Sequence, residues 1–208
     1  MLLLALDTAT PAVTVAVARD GETLAEATRQ EPRRHGEVLA PMVADVLQAA
    51  ALDPRSLDAL VVGVGPGPFT GLRVGLVTAR TLGAVLGMPV LGVCSLDALA
   101  LASDIPGPLL VATDARRREV YWATYDEQRD RLTGPHVSRP AEVGWSGAVV
   151  GEGGTVYPDD FPQAQPPSWP SAVHLARWVE QRRPTLAPDP LYLRRPDAAE
   201  PGPRKSVL

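Results

Sequence analysis

Two short turns carry the side chains best suited to chemistry. Asp7, Thr8 and Thr10 lie in DTATPAV, directly after the apolar run LLLAL, and Asp114 lies in TDARRREVYW, directly after LLVAT. A carboxylate with nearby hydroxyls at the end of a strand can hold the phosphates of a nucleotide, provided that glycines let backbone N–H groups come close. Neither turn contains a glycine. Asp7, Thr8, Thr10 and Asp114 therefore read as a vestigial nucleotide loop, and the simpler account is that each aspartate caps its own turn through its side chain. GVGPGPFTGLR, residues 63 to 73, is a third candidate, since a glycine-rich turn entering a helix can bind anions. No Lys-Ser/Thr follows its glycines, and Pro66 and Pro68 each remove a donor, so a rigid structural turn is the better reading.

Other chemistries lack their residues. His35, His136 and His174 have no His or Cys partner at metal-ligand spacing, and neither HExxH nor HxxxH occurs. No GxSxG elbow is present to present a serine nucleophile. Cys94 is the single cysteine and reads as core packing. A formal charge of -4 argues against a chain that grips a polyanion unaided, and Arg116, Arg117 and Arg118 read as a solvated turn with phosphate contact as the alternative. No cofactor or metal is expected. The opening MLLLALD lacks a basic leader and ends at Asp7, and Arg73 and Arg80 interrupt the most apolar long stretch, so the expectation is a cytoplasmic chain with no membrane span.

The elements that position these turns follow from periodicity. LLLALD, AVTVAVARD and ETLAEATRQ read as three consecutive antiparallel strands, with Asp20-Gly21 as the second turn. In EVLAPMVADVLQAAAL the apolar residues recur at helical spacing, and Pro41 places the expected helix start near Leu39 or Ala40. Residues 57 to 65 read as a buried parallel strand, and 71 to 87 as a second helix with Gly71, Gly75, Ala79, Gly83 and Gly87 every four positions. Interior glycines cost about 1 kcal/mol each relative to alanine, so something must pack closely on that ridge, inside the domain or across an interface. MPVLGVCSLDALALA adds a strand and a helix with Ser95 as the expected cap. Three meandering strands followed by alternating helices and strands point to an α/β protein with mixed sheets of the ribonuclease-H-like, actin-like kind. IPGP at residues 105–108 reads as a domain junction, dividing a first domain, 1–104, from a smaller second one, 105–195. In the second come the strand LLVATD, the hairpin REVYWATYD, the strand AVVGEG and the helix SAVHLARWVEQ. The 22 prolines, about twice the usual ~5% share, crowd into this half, and 196–208 reads as a loose tail.

Together LLALDTAT, HGEVLAPMV, VGVGPGPFTGLRVGLVTARTLG, VLGVCSLDALA, TDARRREVYWATYD, GEGGTVY and LYLR resemble the TsaB family, formerly YeaZ, from Leu2 to about Arg195. The resemblance implies a two-domain actin-like (ASKHA) protein with a reduced second domain. It implies a non-catalytic scaffold that pairs with the catalytic paralogue TsaD, which transfers threonylcarbamoyl to the tRNA adenosine beside the anticodon. A small ATPase, TsaE, joins them; the chain is a homodimer when alone, and tRNA is met only through the complex. Family members lack the paralogue's metal-binding histidine pair, as does this sequence. They pair through the two helices of the first domain, which makes Leu39, Met42, Val43, Val46 and Leu47 on one helix and Gly75, Ala79, Leu82 and Gly83 on the other the expected interface. The shortened, proline-rich second half departs from the family pattern. An independent ATP-dependent kinase or ATPase of the actin-like class is the alternative.

Overall fold

The structure is a computed structural model that describes residues 1–31 and 33–194; the expected tail, 196–208, lies outside the described residues. The first strands are β1 (Leu2–Asp7), β2 (Ala12–Arg19) and β3 (Glu22–Gln30), antiparallel in sequence order. The β2–β3 turn is made by Asp20 and Gly21 with φ of 52° and 90°, the positive angles that a tight two-residue hairpin requires. Then come α1 (His35–Ala49), a short 3-10 turn, β4 (Ala59–Gly63), α2 (Phe69–Leu86) and β5 (Val90–Val93). β4 pairs parallel with β1, and β5 with β4, so the first sheet has the order β3-β2-β1-β4-β5.

After α3 (Ser95–Leu101) the pattern repeats. β6 (Leu109–Asp114), β7 (Val120–Tyr125) and β8 (Arg131–Ser138) are antiparallel, and β9 (Ala148–Val150) and β10 (Ala164–Gln165) follow in parallel. The second sheet reads β8-β7-β6-β9-β10, the same topology as the first. Its helices are cut down: α4 (Pro140–Val143) and α5 (Glu152–Val156) stand where the first half has α1 and α2. α6 (Ala172–Glu180) closes the series.

The period of two along the central strands separates two chemistries. Leu2, Leu4, Leu6, Val13, Val15, Val17, Leu60 and Val62 face α1 and α2. On the other face Leu3, Ala5, Ala16, Ala18, Ala59 and Val61 meet α6 through Ala172, Leu175, Ala176 and Trp178. The many alanines there leave room for a helix to sit close.

Sheets divide near the expected junction, but helices cross it. α6, from the second half of the chain, covers the first sheet, whereas Leu96, Leu99 and Ala100 of α3 pack on Leu109, Val111, Ala123 and Tyr125 of the second. β1 to β5 thus lie before residue 105 and β6 to β10 after it, while α3 and α6 each pack on the sheet of the other half. At the junction itself the nearly buried Arg129 donates to the carbonyls of Ser103, Ile105 and Gly107.

Four local expectations change. α1 begins at His35 and carries Pro41 inside it; Pro41 lies on the exposed face, where the Glu37 carbonyl it leaves unpaired can meet water. Ser95 is the first helical residue of α3, after Cys94 as N-cap. The strand expected over AVVGEG stops at Val150, and its last two residues, Glu152 and Gly153, begin α5 after Gly151 as N-cap. β8 has no counterpart in the sequence reading because Gly134-Pro135 interrupts it, and an edge strand tolerates that proline.

Candidate functional site

Asp7 ends β1 and is fully buried. Its Oδ1 accepts from the Ala9 N–H at 2.7 Å, which forms the turn, and its Oδ2 accepts from Ser95 Oγ at 2.5 Å. Ser95 Oγ in turn accepts from the Gly65 N–H at 3.2 Å, so one carboxylate and one hydroxyl tie three chain segments together. Gly63 makes room: a Cβ there would collide with the Asp7 carboxylate. Burial pushes the Asp7 carboxyl up to about 6, held back in part by the bonds from Ser95 and Ala9 and by the charge of His35. A carboxylate engaged in this way is a structural knot, not an open metal or phosphate ligand.

Thr8 follows with a different task. Its Oγ1 donates to the Gly71 carbonyl at 2.8 Å and accepts from the Gly75 N–H at 3.0 Å, bridging two groups of α2 that stand four residues apart. Around the same turn opens a cleft of about 150 Å³, lined by Thr8, Thr10, His35 and Gly71 with Arg33 and Arg116 at its sides. His35 Nε2 donates to the Thr10 carbonyl at 2.9 Å. Thr10 is 5% exposed, and its hydroxyl has no partner among the described residues.

In the second half Asp114 Oδ1 accepts from the Arg116 N–H at 3.0 Å and from Tyr157 Oη at 3.2 Å, while Oδ2 stands 3.4 Å from the Arg116 guanidinium. Both aspartates therefore cap their own turns. Glu152 is pushed up to about 7, chiefly by burial and next by the neighbouring Asp114, with Arg116 opposing. Arg116, Arg117 and Arg118 all take left-handed angles, φ 60°, 58° and 61°, a run that glycine or asparagine would adopt at lower cost.

The residues expected to form the partner interface lie inside the first domain. Leu39, Met42, Val43, Val46 and Leu47 are buried against the first sheet, together with Ala79; Leu82 is partly buried beside them. A Cβ on Gly75 would stand 2.5 Å from Thr8 Oγ1, and one on Gly83 would collide with Val90. The small-residue ridge is thus accounted for by close approach of α2 to its own sheet and to Thr8. Sequence spacing alone does not distinguish that from approach by another chain.

The face that α2 turns outward is Phe69, Arg73, Val77, Arg80 and Val85, with Val77 62% and Val85 77% exposed. α1 exposes the small residues Gly36, Ala40 and Ala44, and Gly36 lines a shallow depression together with Phe69, Arg73 and Val77 of α2. The segment after α6 runs back along this edge. Tyr192 stacks on Phe69 with ring centroids 5.3 Å apart, Arg73 Nε donates to Tyr192 Oη at 2.9 Å, and Asp189 pairs with Arg80 at 3.1 Å. By length and composition alone α2 could cross a membrane, a correction to the expectation that Arg73 and Arg80 rule it out; here one side of it lies on the first sheet. Cys94 is buried, and burial pushes its thiol up to about 12, so it is not poised as a nucleophile. Among the described residues, no three His, Cys, Asp or Glu gather to hold a metal ion.

Two sheets of identical strand order, with α3 and α6 between them and a turn-capping aspartate ending the first strand of each, define a duplicated actin-like α/β protein. A family model described as TsaD, tRNA N6-adenosine threonylcarbamoyltransferase, matches residues 23–156. A tRNA threonylcarbamoyladenosine biosynthesis protein TsaB of Escherichia coli is 34% identical over 173 residues, covering 76% of this chain and 74% of that protein. An uncharacterised protein of Mycobacterium tuberculosis is 46% identical over 202 residues, covering 94% and 93%. Among solved structures, YeaZ from Pseudomonas aeruginosa aligns with a TM-score of 0.79 at 32% identity over 92% of this chain and 99% of that one. The chain belongs to the TsaB (YeaZ) family, within the wider group that the threonylcarbamoyltransferase model describes.

Proposed function

We propose that the chain is a non-catalytic subunit of the machinery that threonylcarbamoylates the tRNA adenosine beside the anticodon, and that it acts by pairing with a TsaD-like paralogue. The observation that carries the pairing is the outward face of α2, where Val77 and Val85 stand 62% and 77% exposed and Gly36 of α1 lies alongside Val77. Exposed valines on a regular helix beside a groove of glycine and alanine suit a second pair of helices packed ridge into groove. Leu39, Met42, Val43, Val46, Leu47, Gly75, Ala79, Leu82 and Gly83 then set the positions of the two helices, and the contact itself moves to their opposite sides.

Asp7 and Asp114 are both spent on turns, and Ser95 is spent on Asp7, which supports a scaffold rather than a hydrolase or kinase. A TsaE-like ATPase joins the pair, the same α2 face forms a homodimer when the paralogue is absent, and tRNA is met through the complex, in keeping with the chain's charge of -4. Its place of action is the cytoplasm.

The test is threonylcarbamoylation of unmodified tRNA by the cognate TsaD-like and TsaE-like proteins with the adenylate-forming enzyme, ATP, threonine and bicarbonate. Product is expected only when this chain is added, and not with Val77→Glu. Product formed equally well without the chain rules the reading out.

A further inference from the structure

The outward face of α2 is one-sided in charge. From Phe69 to Leu86 the helix holds two arginines, Arg73 and Arg80, and no Asp or Glu. Two shallow depressions, each of about 460 Å³, meet at Arg73 and Val77, one opening towards Gly36 and Val74 and the other towards Pro190 and Tyr192. No carboxylate lines either of them. Arg80 meets Asp189 at 3.1 Å, whereas among the described residues no carboxylate pairs with Arg73. Arg73 is held in place by other means: its Nε donates to Tyr192 Oη at 2.9 Å, and its guanidinium lies 3.7 Å from the centre of the Phe69 ring. An arginine whose side chain is already fixed loses little freedom when a carboxylate arrives.

A second observation concerns where the chain goes next. Arg194 comes two residues after Tyr192, so residues 195–208 leave from the edge of this same face. Pro196 to Pro203, PDAAEPGP, carries two acids and no base, and its other residues are small or proline. Prolines favour the polyproline II helix, with three residues per turn and a rise of about 3.1 Å per residue, which would put Asp197 and Glu200 on one side, about 9 Å apart. Arg73 and Arg80 lie on one side of α2, about 10 Å apart along its axis. Charge and spacing therefore match.

We propose that residues 196–203 lie along the outward face of α2, with Asp197 against Arg73 and Glu200 against Arg80 in exchange for Asp189. Ala198 and Ala199 then cover Val77, and Pro201 and Pro203 cover Val85, so the chain shields its own pairing surface until a partner displaces the segment. The inference rests on α2 being that surface. Two exposed ion pairs and a few small apolar contacts make a cover weak enough for a partner to remove.

The test uses the full chain with a spin label on Ser206→Cys; Cys94, 1% exposed, does not take the label. Line broadening in the nitrogen-15 spectrum is expected at the amides of Thr81 and Val85, and not at β8 on the edge of the second sheet. Asp197→Asn/Glu200→Gln should remove most of it. Without the label, the same double substitution is expected to tighten pairing with the TsaD-like partner about fivefold, the worth of two exposed ion pairs. Unbroadened α2 amides, broadening equal in the substituted chain, or pairing that the substitution leaves unchanged would each overturn the cover. Broadening passed from labelled chains to unlabelled ones in a mixture would overturn it too, by placing the segment on a second copy. Broadening as expected in a chain that pairs with nothing upholds the seat of the segment and rules out the scaffold reading instead.

Discussion

The hydroxyl of Thr8 stands 3.0 Å from the N–H of Gly75, in the space that any side chain at position 75 would enter. The first loop of the protein is thereby locked into its longest helix, and the absence of a Cβ at 75 is the condition for the lock. The small-residue ridge of α2 acquires its meaning from this contact and from Val90 against Gly83.

Gly75→Ala is therefore expected to destabilise the protein. Helix propensity alone would favour alanine by about 1 kcal/mol. Crowding against Thr8 at 2.5 Å, typically a cost of about 1–3 kcal/mol, together with loss of the Thr8 hydrogen bonds at about 1 kcal/mol each, outweighs it. A net loss of about 2 kcal/mol should appear as a lower urea midpoint. Thr8→Ala/Gly75→Ala should cost less than the sum of its single changes, because the clash has gone. Strict additivity would show that the two residues do not interact.

Asp7 gives the protein a dependence on pH with a definite sign. The folded carboxyl titrates near 6, against an ordinary value of 3.8, so between those values the folded state holds more proton than the unfolded. Stability must then fall as pH rises through that window, by about 3 kcal/mol for a shift of this size, and stay reduced above it. Asp7→Asn keeps an oxygen for the Ala9 N–H and offers an amide to Ser95. Its stability should change less than the parent's between pH 4 and pH 6, as read from denaturant titrations at several pH values. Glu152, raised to about 7 and only half-buried, adds a smaller change of the same sign, which both proteins share. Parallel curves for the two proteins would remove Asp7 as the source.

Val77→Glu and Val85→Glu are expected to leave the melting temperature almost unchanged, since both side chains are mostly exposed. Either should weaken pairing with the TsaD-like partner by about tenfold or more, through burial of an unpaired charge. Analytical ultracentrifugation of the mixed chains reads this directly. Unchanged pairing would place the partner on another surface.

A fragment of residues 1–104 is expected not to fold by itself. It would leave Leu3, Ala5, Ala16 and Val61 without Leu175, Ala176 and Trp178 above them, and α3 without the second sheet. Trp178→Ala in the intact chain should cost about 3–5 kcal/mol, since that side chain is 5% exposed and its Nε1 donates to the Pro184 carbonyl at 2.8 Å. A cooperative melt of the fragment would contradict the shared core.

Much of this arrangement was legible in the residues. Alternation in AVTVAVAR and the continuous apolar run in LLLALD mark an edge-to-centre series of strands, and the short polar turns after LLLAL and LLVAT mark Asp7 and Asp114 as turn caps. The direction in which a helix faces was harder. Val38, Leu39, Met42, Val43, Val46 and Leu47 make one broad apolar stripe, and no spacing rule tells a stripe that meets its own sheet from one that meets another chain. Gly75 is ambiguous for the same reason: close approach leaves the same glycine whatever approaches. The sheet that α6 covers could not be read from its sequence, because amphipathic period records that a face is buried and not where. Ser95 has the type and position of a helix cap, yet its hydroxyl is drawn away by an aspartate eighty-eight residues earlier.

The roof that α6 puts over the first sheet has a consequence for how the protein is made. Translation delivers β1 well before α6. Until residue 180 has cleared the ribosome, the alanine-lined face of the first sheet is bare hydrocarbon in water, open to chaperones and to other nascent chains. A chain cut before Ser171 is expected to leave that face uncovered for good.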